Sequence, residues 1–91
     1  MEALQRSATV ALRTLLAQQP NTPAKVTFAW RMAAGPALAR AGTPRLRDDG
    51  VLVIQARDAA WRRELYRAQG VLIERLGELL GPGVVKRIDI D

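Results

Sequence analysis

Basic side chains are the residues of this chain whose chemistry stands out most. The 91 residues contain 14 lysines and arginines against 9 aspartates and glutamates, which gives a formal net charge of +5. Lysine occurs only at Lys25 and Lys86, and every other base is an arginine. A guanidinium binds phosphate through paired hydrogen bonds and stacks on bases, which suits nucleic acid. A GC-rich coding sequence would produce the same preference for arginine, so composition alone leaves both explanations open.

Side chains that could support catalysis are scarce. Ser7 is the single serine, and the chain has no histidine to activate it. The absence of cysteine excludes disulfides, thiolate chemistry and most structural zinc sites. Asp89 and Asp91 share one face of a predicted strand, but two carboxylates are too few ligands for calcium or magnesium. The glycine-rich nucleotide signatures are also missing. We therefore expect a noncatalytic protein without a cofactor or metal.

The length of the chain predicts one domain over residues 1–91. We divide it into an N-terminal helix with a proline-rich connector, residues 1–23, and a core, residues 24–91. No apolar run approaches the roughly 20 residues that cross a bilayer. The segment Met1–Arg6 lacks the basic-then-apolar order of a signal peptide. We expect a cytoplasmic protein with no membrane association.

A strand followed by a long helix forms the predicted centre of the fold. The turn Asp48–Gly50 leads into an apolar strand, Val51–Arg57. Asp58 is a good N-cap for a helix that extends to Leu80, because its carboxylate can accept bonds from the first free N–H groups. Apolar residues at spacings of three or four give this helix one buried face. They are Trp61, Leu65, Ala68, Leu72, Leu76, Leu79 and Leu80.

Two residues of this helix allow more than one interpretation. Gly70 costs about 1 kcal/mol relative to alanine in a helix interior, so it marks either a weak point, a tight contact or a break into two helices. Trp61 opens the apolar face, which favours packing in the core. The alternative role, a hot spot for a protein partner, would require Trp61 to be exposed.

Two further helices are predicted before the strands. Glu2–Gln19 carries one apolar face, and the prolines at 20 and 23 end it. Lys25–Ala34 is a second helical pattern that Gly35 and Pro36 interrupt before a short turn over Ala37–Ala41. Phe28 and Trp30 lie in the second pattern, and we expect both to belong to the core, because small domains depend on such residues.

The remaining segments complete a sheet. Arg45–Arg47 alternates in polarity and forms the predicted first strand of a hairpin. Val84–Asp91 is the predicted last strand. A strand–helix–strand connection should be right-handed and place it parallel to Val51–Arg57. We expect it beside the first strand of the hairpin. The prediction is an α+β fold with one three-stranded mixed sheet and helices covering one face.

The candidate nucleic-acid-binding residues are the basic residues that lie outside the apolar faces. An alternative for the strand arginines is protection of a sheet edge, since charge opposes edge-to-edge pairing. An alternative for the helix arginines is pairing with nearby glutamates at helical spacing. The candidates are Arg45, Arg47, Arg57, Arg62, Arg63, Arg67, Lys86 and Arg87.

Several short motifs occur in an order and spacing that are characteristic as a set. They are Phe28–Ala39 (W-x-x-x-x-G-x-x-L/I-A), Thr43–Leu46 (similar to T-x-P-x-x-L but shorter), Gly50–Ile54 (similar to G-x-L-x-V), Ala60–Leu65 (W-x-x-E-L), and the closing pieces Leu72–Leu76, Leu80–Gly81 and Val85–Ile88. Together, over Val26–Ile90, they resemble the DciA-type bacterial family, long catalogued as a domain of unknown function.

The resemblance implies a KH-like fold in the order helix, strand, strand, helix, helix, strand, which favours a break near Gly70. It also implies a role in replication, because members of the family recruit or load the bacterial replicative helicase and bind DNA. Many members carry a flexible basic tail, whereas this chain stops at Asp91. KH domains bind nucleic acid through a G-x-x-G loop. Here the corresponding residues are Ala68–Val71, so that mode is not carried over.

We therefore expect a DNA-replication accessory module that binds single-stranded or forked DNA and contacts the replicative helicase. Two alternatives remain open. One is an RNA-binding KH-like module, and the other is a protein-interaction domain whose arginines serve solubility. The sequence does not determine the oligomeric state.

Overall fold

The computed structural model describes residues 21–91. The predicted first helix, Glu2–Gln19, lies outside the described residues. The described chain forms helix α1 (Pro23–Ala41), strands β1 (Gly42–Leu46) and β2 (Val51–Ala56), helix α2 (Ala59–Leu80) and strand β3 (Arg87–Ile90). The three strands make one mixed sheet, which confirms the predicted α+β class. No helix within this range is long and apolar enough to span a membrane.

Helix α1 begins and bends where its sequence requires. The Thr22 hydroxyl caps it by accepting a hydrogen bond of 3.2 Å from the backbone N–H of Lys25. Gly35 has φ 79° and ψ 171°, which interrupts the helix. Only glycine adopts this backbone conformation without steric strain. Pro36 then starts the second segment at a fixed φ, so the predicted interruption at Gly35 and Pro36 is confirmed.

The order of the strands differs from the prediction in one respect. β1 pairs antiparallel with β2, and β3 pairs parallel with β2 on its other side. The prediction that the last strand lies beside the first strand of the hairpin is therefore wrong. The outer edge of β1 is poorly suited to pairing, because Pro44 has no N–H and the Gly42 carbonyl accepts a bond from the Trp30 indole.

Helix α2 runs without interruption through Gly70. The break that the family resemblance favours is absent. Leu65 and Leu72, on either side of Gly70, are 0% and 2% exposed, so both halves of the helix bury the same apolar face against the core. Burying two leucines stabilises the helix by about 3 kcal/mol or more, which outweighs the cost of about 1 kcal/mol for one glycine.

The core lies between the helices and the inner face of the sheet. Trp30 is 1% exposed, as predicted, and packs with the inward residues of β2, Leu52 and Ile54. Phe28, by contrast, is 43% exposed, so its assignment to the core is wrong. The buried face of α1 follows Val26, Ala29, Trp30 and Ala33. Phe28 lies two positions before Trp30, which is about 200° around the helix and away from that face.

Candidate nucleic-acid interface

The outer face of the sheet carries the polar side chains of all three strands. Leu52 and Ile54 point to the core, so the alternate residues Val51, Val53 and Gln55 point outward. Arg45 on β1 and Asp89 on β3 both lie opposite Val53 in the register. Arginine thus lies on the β1 side of this face, whereas the β3 side carries both an arginine and a carboxylate, Arg87 and Asp89.

Three of the predicted site arginines form ion pairs with residues close to them in sequence. Arg47 Nη2 lies 2.6 Å from Asp49 Oδ2 across the β1–β2 turn. Arg67 Nη1 lies 3.3 Å from Glu64 Oε1 on α2, and Arg87 Nε lies 2.9 Å from Asp89 Oδ1 on β3. A phosphate would have to compete with these carboxylates, so the three arginines are the weaker candidates for binding an anion.

The other five predicted bases form no ion pair with any residue from 21 to 91. All five are exposed. Within the described part of the chain, no ion pair neutralises their positive charge, which leaves it available to a polyanion. They are Arg45, Arg57, Arg62, Arg63 and Lys86.

A cleft at one end of the sheet brings two exposed arginines together. The backbone N–H of Arg57 donates to the Ala41 carbonyl oxygen at 2.8 Å, which ties the end of β2 to the end of α1. Arg40 in the last turn of α1 and Arg57 line a cleft of about 300 Å³ together with Thr43 and Gln55. We call these four residues the arginine cleft. Each of the four side chains can donate hydrogen bonds, and none is acidic, which suits a phosphate group.

Arg40 was not among the sequence-predicted site residues. It falls at the end of a helix, and the sequence shows no link between it and Arg57, 17 positions later. The preference for bases in the last turn of a helix was the available signal, but that preference has a purely structural explanation in the helix dipole. The pairing of Gly42 with Ala56 is what brings the two arginines to the same cleft.

Arg45 extends the arginine cleft along β1. It lies two residues from Thr43 and therefore on the same outer face. Of the predicted candidates, the structure thus brings Arg45 and Arg57 into one region of the surface.

A second hollow lies at the start of α2. Trp61 is half-buried and lines a hollow of about 470 Å³ with Ala60, Arg63, Glu64 and Arg67. The structure therefore matches neither of the two sequence interpretations completely, since Trp61 is neither fully in the core nor fully exposed. Arg63 and Arg67 stand beside an accessible aromatic ring, an arrangement that also occurs in sites that stack nucleic-acid bases.

Lys86 and Arg87 lie beside the β1–β2 turn. A Cβ atom at Gly50 would lie 3.0 Å from Cγ and Cδ of Lys86, so the lysine stem lies directly against this turn. The hydrogen bond to Asp89 raises the pKa of Arg87 above its usual value, and the charges of Asp89 and Asp49 act in the same direction. This end of the sheet mixes both signs of charge, unlike the arginine cleft.

Among the described residues, no group of His, Cys, Asp or Glu could hold a metal ion.

Two comparisons with known proteins place the chain in a family. The family model described as "Dna[CI] antecedent, DciA" matches residues 3–90. A UPF0232 protein from Mycolicibacterium smegmatis is 33% identical over 61 residues. That alignment covers 67% of this chain and 31% of the relative, so the chain spans about a third of that protein's length. With nearly all of its length matched by the family model, the chain belongs to the DciA family.

Proposed function

We propose that this protein is a noncatalytic accessory module of DNA replication that binds DNA and contacts the replicative helicase. The DciA family is associated with helicase loading, which supports the class of process. The observation that carries the DNA-binding part is the arginine cleft, where Arg40 and Arg57 line one cleft and none of the described lining residues is a carboxylate. The whole of residues 1–91 is proposed to act as one domain, with residues 24–91 as the KH-like core.

The geometry of the cleft favours phosphate over a free carboxylate-bearing peptide. Phosphodiester groups repeat along a DNA strand. Arginines that form no ion pair among the described residues likewise follow one another along the outer face of the sheet, from the arginine cleft to Arg45. Neutralising several phosphates releases counterions, which supplies most of the free energy of nonspecific binding to nucleic acid. The proposed path of the DNA follows the β1 side of the sheet, because the β3 side carries charges of both signs and its Arg87 is paired with Asp89.

Single-stranded or forked DNA is the favoured form. The accessible ring of Trp61 lies beside Arg63 and Arg67, and an unpaired base can stack on such a ring, whereas a paired base cannot. The predicted contacts of Arg62 and Lys86 with phosphate remain part of the proposal, since both are exposed and unpaired among the described residues. The ion-paired Arg47, Arg67 and Arg87 are proposed to contribute less.

The RNA-binding alternative has less support. KH domains that bind RNA use a loop between two helices, whereas residues 68–71 lie inside the continuous helix α2. The usual loop mode is therefore not available to this chain. A protein-interaction domain without nucleic-acid binding is the other alternative, and the exposed Phe28 and Met32 on α1 are the observation that favours it.

Fluorescence anisotropy with labelled strands tests the DNA-binding part. We expect single-stranded and forked DNA to bind, with log Kd depending on log salt at about 0.7 per phosphate bound on a single strand. Unlabelled RNA of the same sequence should compete more weakly than unlabelled DNA. A response that does not change with salt would remove the DNA-binding proposal.

Co-purification with the replicative helicase from nuclease-treated lysate tests the second part. We expect the helicase to be retained, because the proposed contact is between proteins. If the helicase is retained only when nucleic acid is present, the two proteins merely share DNA, and the helicase contact is not supported.

A further inference from the structure

Strand β3 forms an edge of the sheet that can accept another strand. It pairs with β2 on one side, and the strand order β1-β2-β3 leaves its other side without a neighbouring strand among residues 21–91. The backbone N–H of Asp91 donates to the Ile54 carbonyl, and the Asp91 carbonyl accepts from Ala56, at 2.9 and 3.0 Å. Backbone groups alternate in direction along a strand, so the N–H and C=O groups of Asp89 also point toward β2. The N–H and C=O groups of Ile88 and Ile90 point away from β2, to the free edge.

The outward groups of this edge have no hydrogen-bond partner within residues 21–91. Edge strands of native proteins are usually blunted by proline, bulges or a covering element. β3 has no proline, and its side chains alternate between isoleucine on the core side and charge on the outer face. Its outer-face charges are of both signs, with Arg87 followed by Asp89 and Asp91.

We propose that β3 pairs antiparallel with β3 of a second copy of this chain, with Ile88 on the two-fold axis. In this register Ile88 exchanges two backbone hydrogen bonds with its copy. Arg87 of each chain then lies directly opposite Asp89 of the other. These are close pairs on the outer face, so opposite charges there are favourable. This inference does not depend on the proposed DNA or helicase contact.

Charge selects this register over its neighbours. With Asp89 on the axis, its carboxylate would face its own copy. With Ile90 on the axis, Asp89 would face Asp91 of the second chain. Like charges opposite each other destabilise a strand pair, so both of these registers are disfavoured. Only the Ile88-centred register places Arg87 and Asp89 of the two chains in contact.

The other edge of the sheet explains why the assembly would stop at two chains. Two backbone hydrogen bonds flank β1, from the Arg47 N–H to the Val51 carbonyl and from the Arg57 N–H to the Ala41 carbonyl. They show that the backbone N–H and C=O groups of Thr43 and Arg45 point toward β2. The backbone groups of Gly42 and Pro44 therefore point to the free edge of the sheet. Pro44 lacks an N–H, and the Gly42 carbonyl already accepts a bond of 3.1 Å from Trp30. With one open and one closed edge, self-pairing gives a closed two-fold dimer rather than a fibre.

A charge-swap experiment on the full chain tests the proposal. Sedimentation-equilibrium measurements should detect a weak dimer, with a Kd on the order of 100 µM, because a four-residue strand buries less area than a stable interface needs. Arg87→Asp alone places acids opposite each other, and Asp89→Arg alone places bases opposite each other. Each single variant should weaken self-association by about tenfold or more, since both cross-strand pairs become repulsive.

An equimolar mixture of the two single variants supplies the matched control. In a mixed dimer, Asp at position 87 of one chain faces Arg at position 89 of the other, and the second pair is Arg87 with Asp89. The mixture should therefore associate as strongly as the unchanged protein. Circular dichroism confirms that each variant folds. A protein that stays monomeric up to about 1 mM, or two single variants that associate no better mixed than apart, would overturn the proposal.

Discussion

The indole Nε1 of Trp30 donates a hydrogen bond of 3.1 Å to the backbone carbonyl oxygen of Gly42. This bond joins the buried face of α1 to the first residue of β1. It satisfies the one polar atom of a large buried side chain, and it also occupies a carbonyl that would otherwise face outward from the sheet edge. A single contact thus fixes the helix on the sheet and helps to close the β1 edge.

The first prediction concerns the tight packing around Gly42. A Cβ atom there would lie 2.5 Å from Cγ2 of Ile54 and 3.2 Å from Cδ1 of Leu65, both in the core. We expect Gly42→Ala to lower the free energy of unfolding by about 1–3 kcal/mol, because a packed core resists added volume. Urea denaturation followed by circular dichroism measures the change.

Gly70→Ala is the matched control. Gly70 lies inside α2, and a Cβ there meets no heavy atom within 4 Å. Alanine should therefore raise the free energy of unfolding by about 0.5–1 kcal/mol through its higher helix propensity. If both substitutions change stability in the same direction, the packing described at Gly42 is incorrect.

Removal of the indole donor gives the second prediction. Trp30→Phe deletes the bond to the Gly42 carbonyl and part of the buried ring, and we expect it to destabilise the fold by about 2–4 kcal/mol. The urea midpoint should fall while the dependence of the free energy on urea stays constant. An unchanged midpoint would show that the contact between α1 and β1 contributes nothing to folding.

Trp61 should be more accessible than Trp30 in solution. The chain has two tryptophans, so Trp61→Phe isolates Trp30 and Trp30→Phe isolates Trp61. We expect acrylamide to quench the emission of Trp61 several-fold more efficiently, because Trp61 lines an open hollow and Trp30 is 1% exposed. Equal quenching of the two would place Trp61 in the core and remove it as a stacking residue.

Local sequence patterns determined most of the fold. Asp58 caps α2, because its Oδ1 accepts a hydrogen bond of 2.9 Å from the backbone N–H of Trp61. This cap and the interruption at Gly35 both follow from short-range rules. The position of β3 did not follow, because it depends on which edge of the hairpin is closed. That closure comes partly from Pro44, which the sequence shows, and partly from the indole of Trp30, whose contact with Gly42, 12 residues away, no local pattern reveals.

The candidate site was less accessible to sequence reasoning. Residue type identified the arginines but not their partners, so Arg47 and Arg87 ranked equally with Arg45 although each has a carboxylate two residues away. Sequence alone does not identify Arg40, because its proximity to Arg57 arises from strand register. The bulk of Phe28 predicts a core position, whereas its angular position on α1 places it on the exposed face.

DNA binding should be insensitive to pH near neutrality. The chain has no histidine, and arginine keeps its charge, so we expect Kd to stay constant between about pH 5.5 and 7. The raised pKa of Arg87 means that its contribution to stability is complete below the usual arginine pKa and disappears only above the raised value, far outside this range. Anisotropy titrations at constant ionic strength measure the Kd for DNA at each pH. A marked weakening across this interval would implicate a group other than the arginines.

The arginine cleft can be tested against overall charge by two double variants that each remove two positive charges. Arg40→Ala with Arg57→Ala removes both arginines of the cleft, whereas Arg47→Ala with Arg87→Ala removes two arginines that are already ion-paired. Neither pair is buried, so both variants should fold. Any difference between them in DNA affinity therefore reports position rather than net charge.

The salt dependence of single-stranded DNA binding by these two variants is the most direct measurement of the central claim. We predict that the affinity of the cleft variant falls about tenfold and that its slope of log Kd against log salt decreases by about 0.7 for each phosphate that the variant no longer binds. The ion-paired variant should keep a slope close to that of the unchanged protein. Equal decreases of affinity and slope in the two variants would contradict the claim that Arg40 and Arg57 form the phosphate-binding centre.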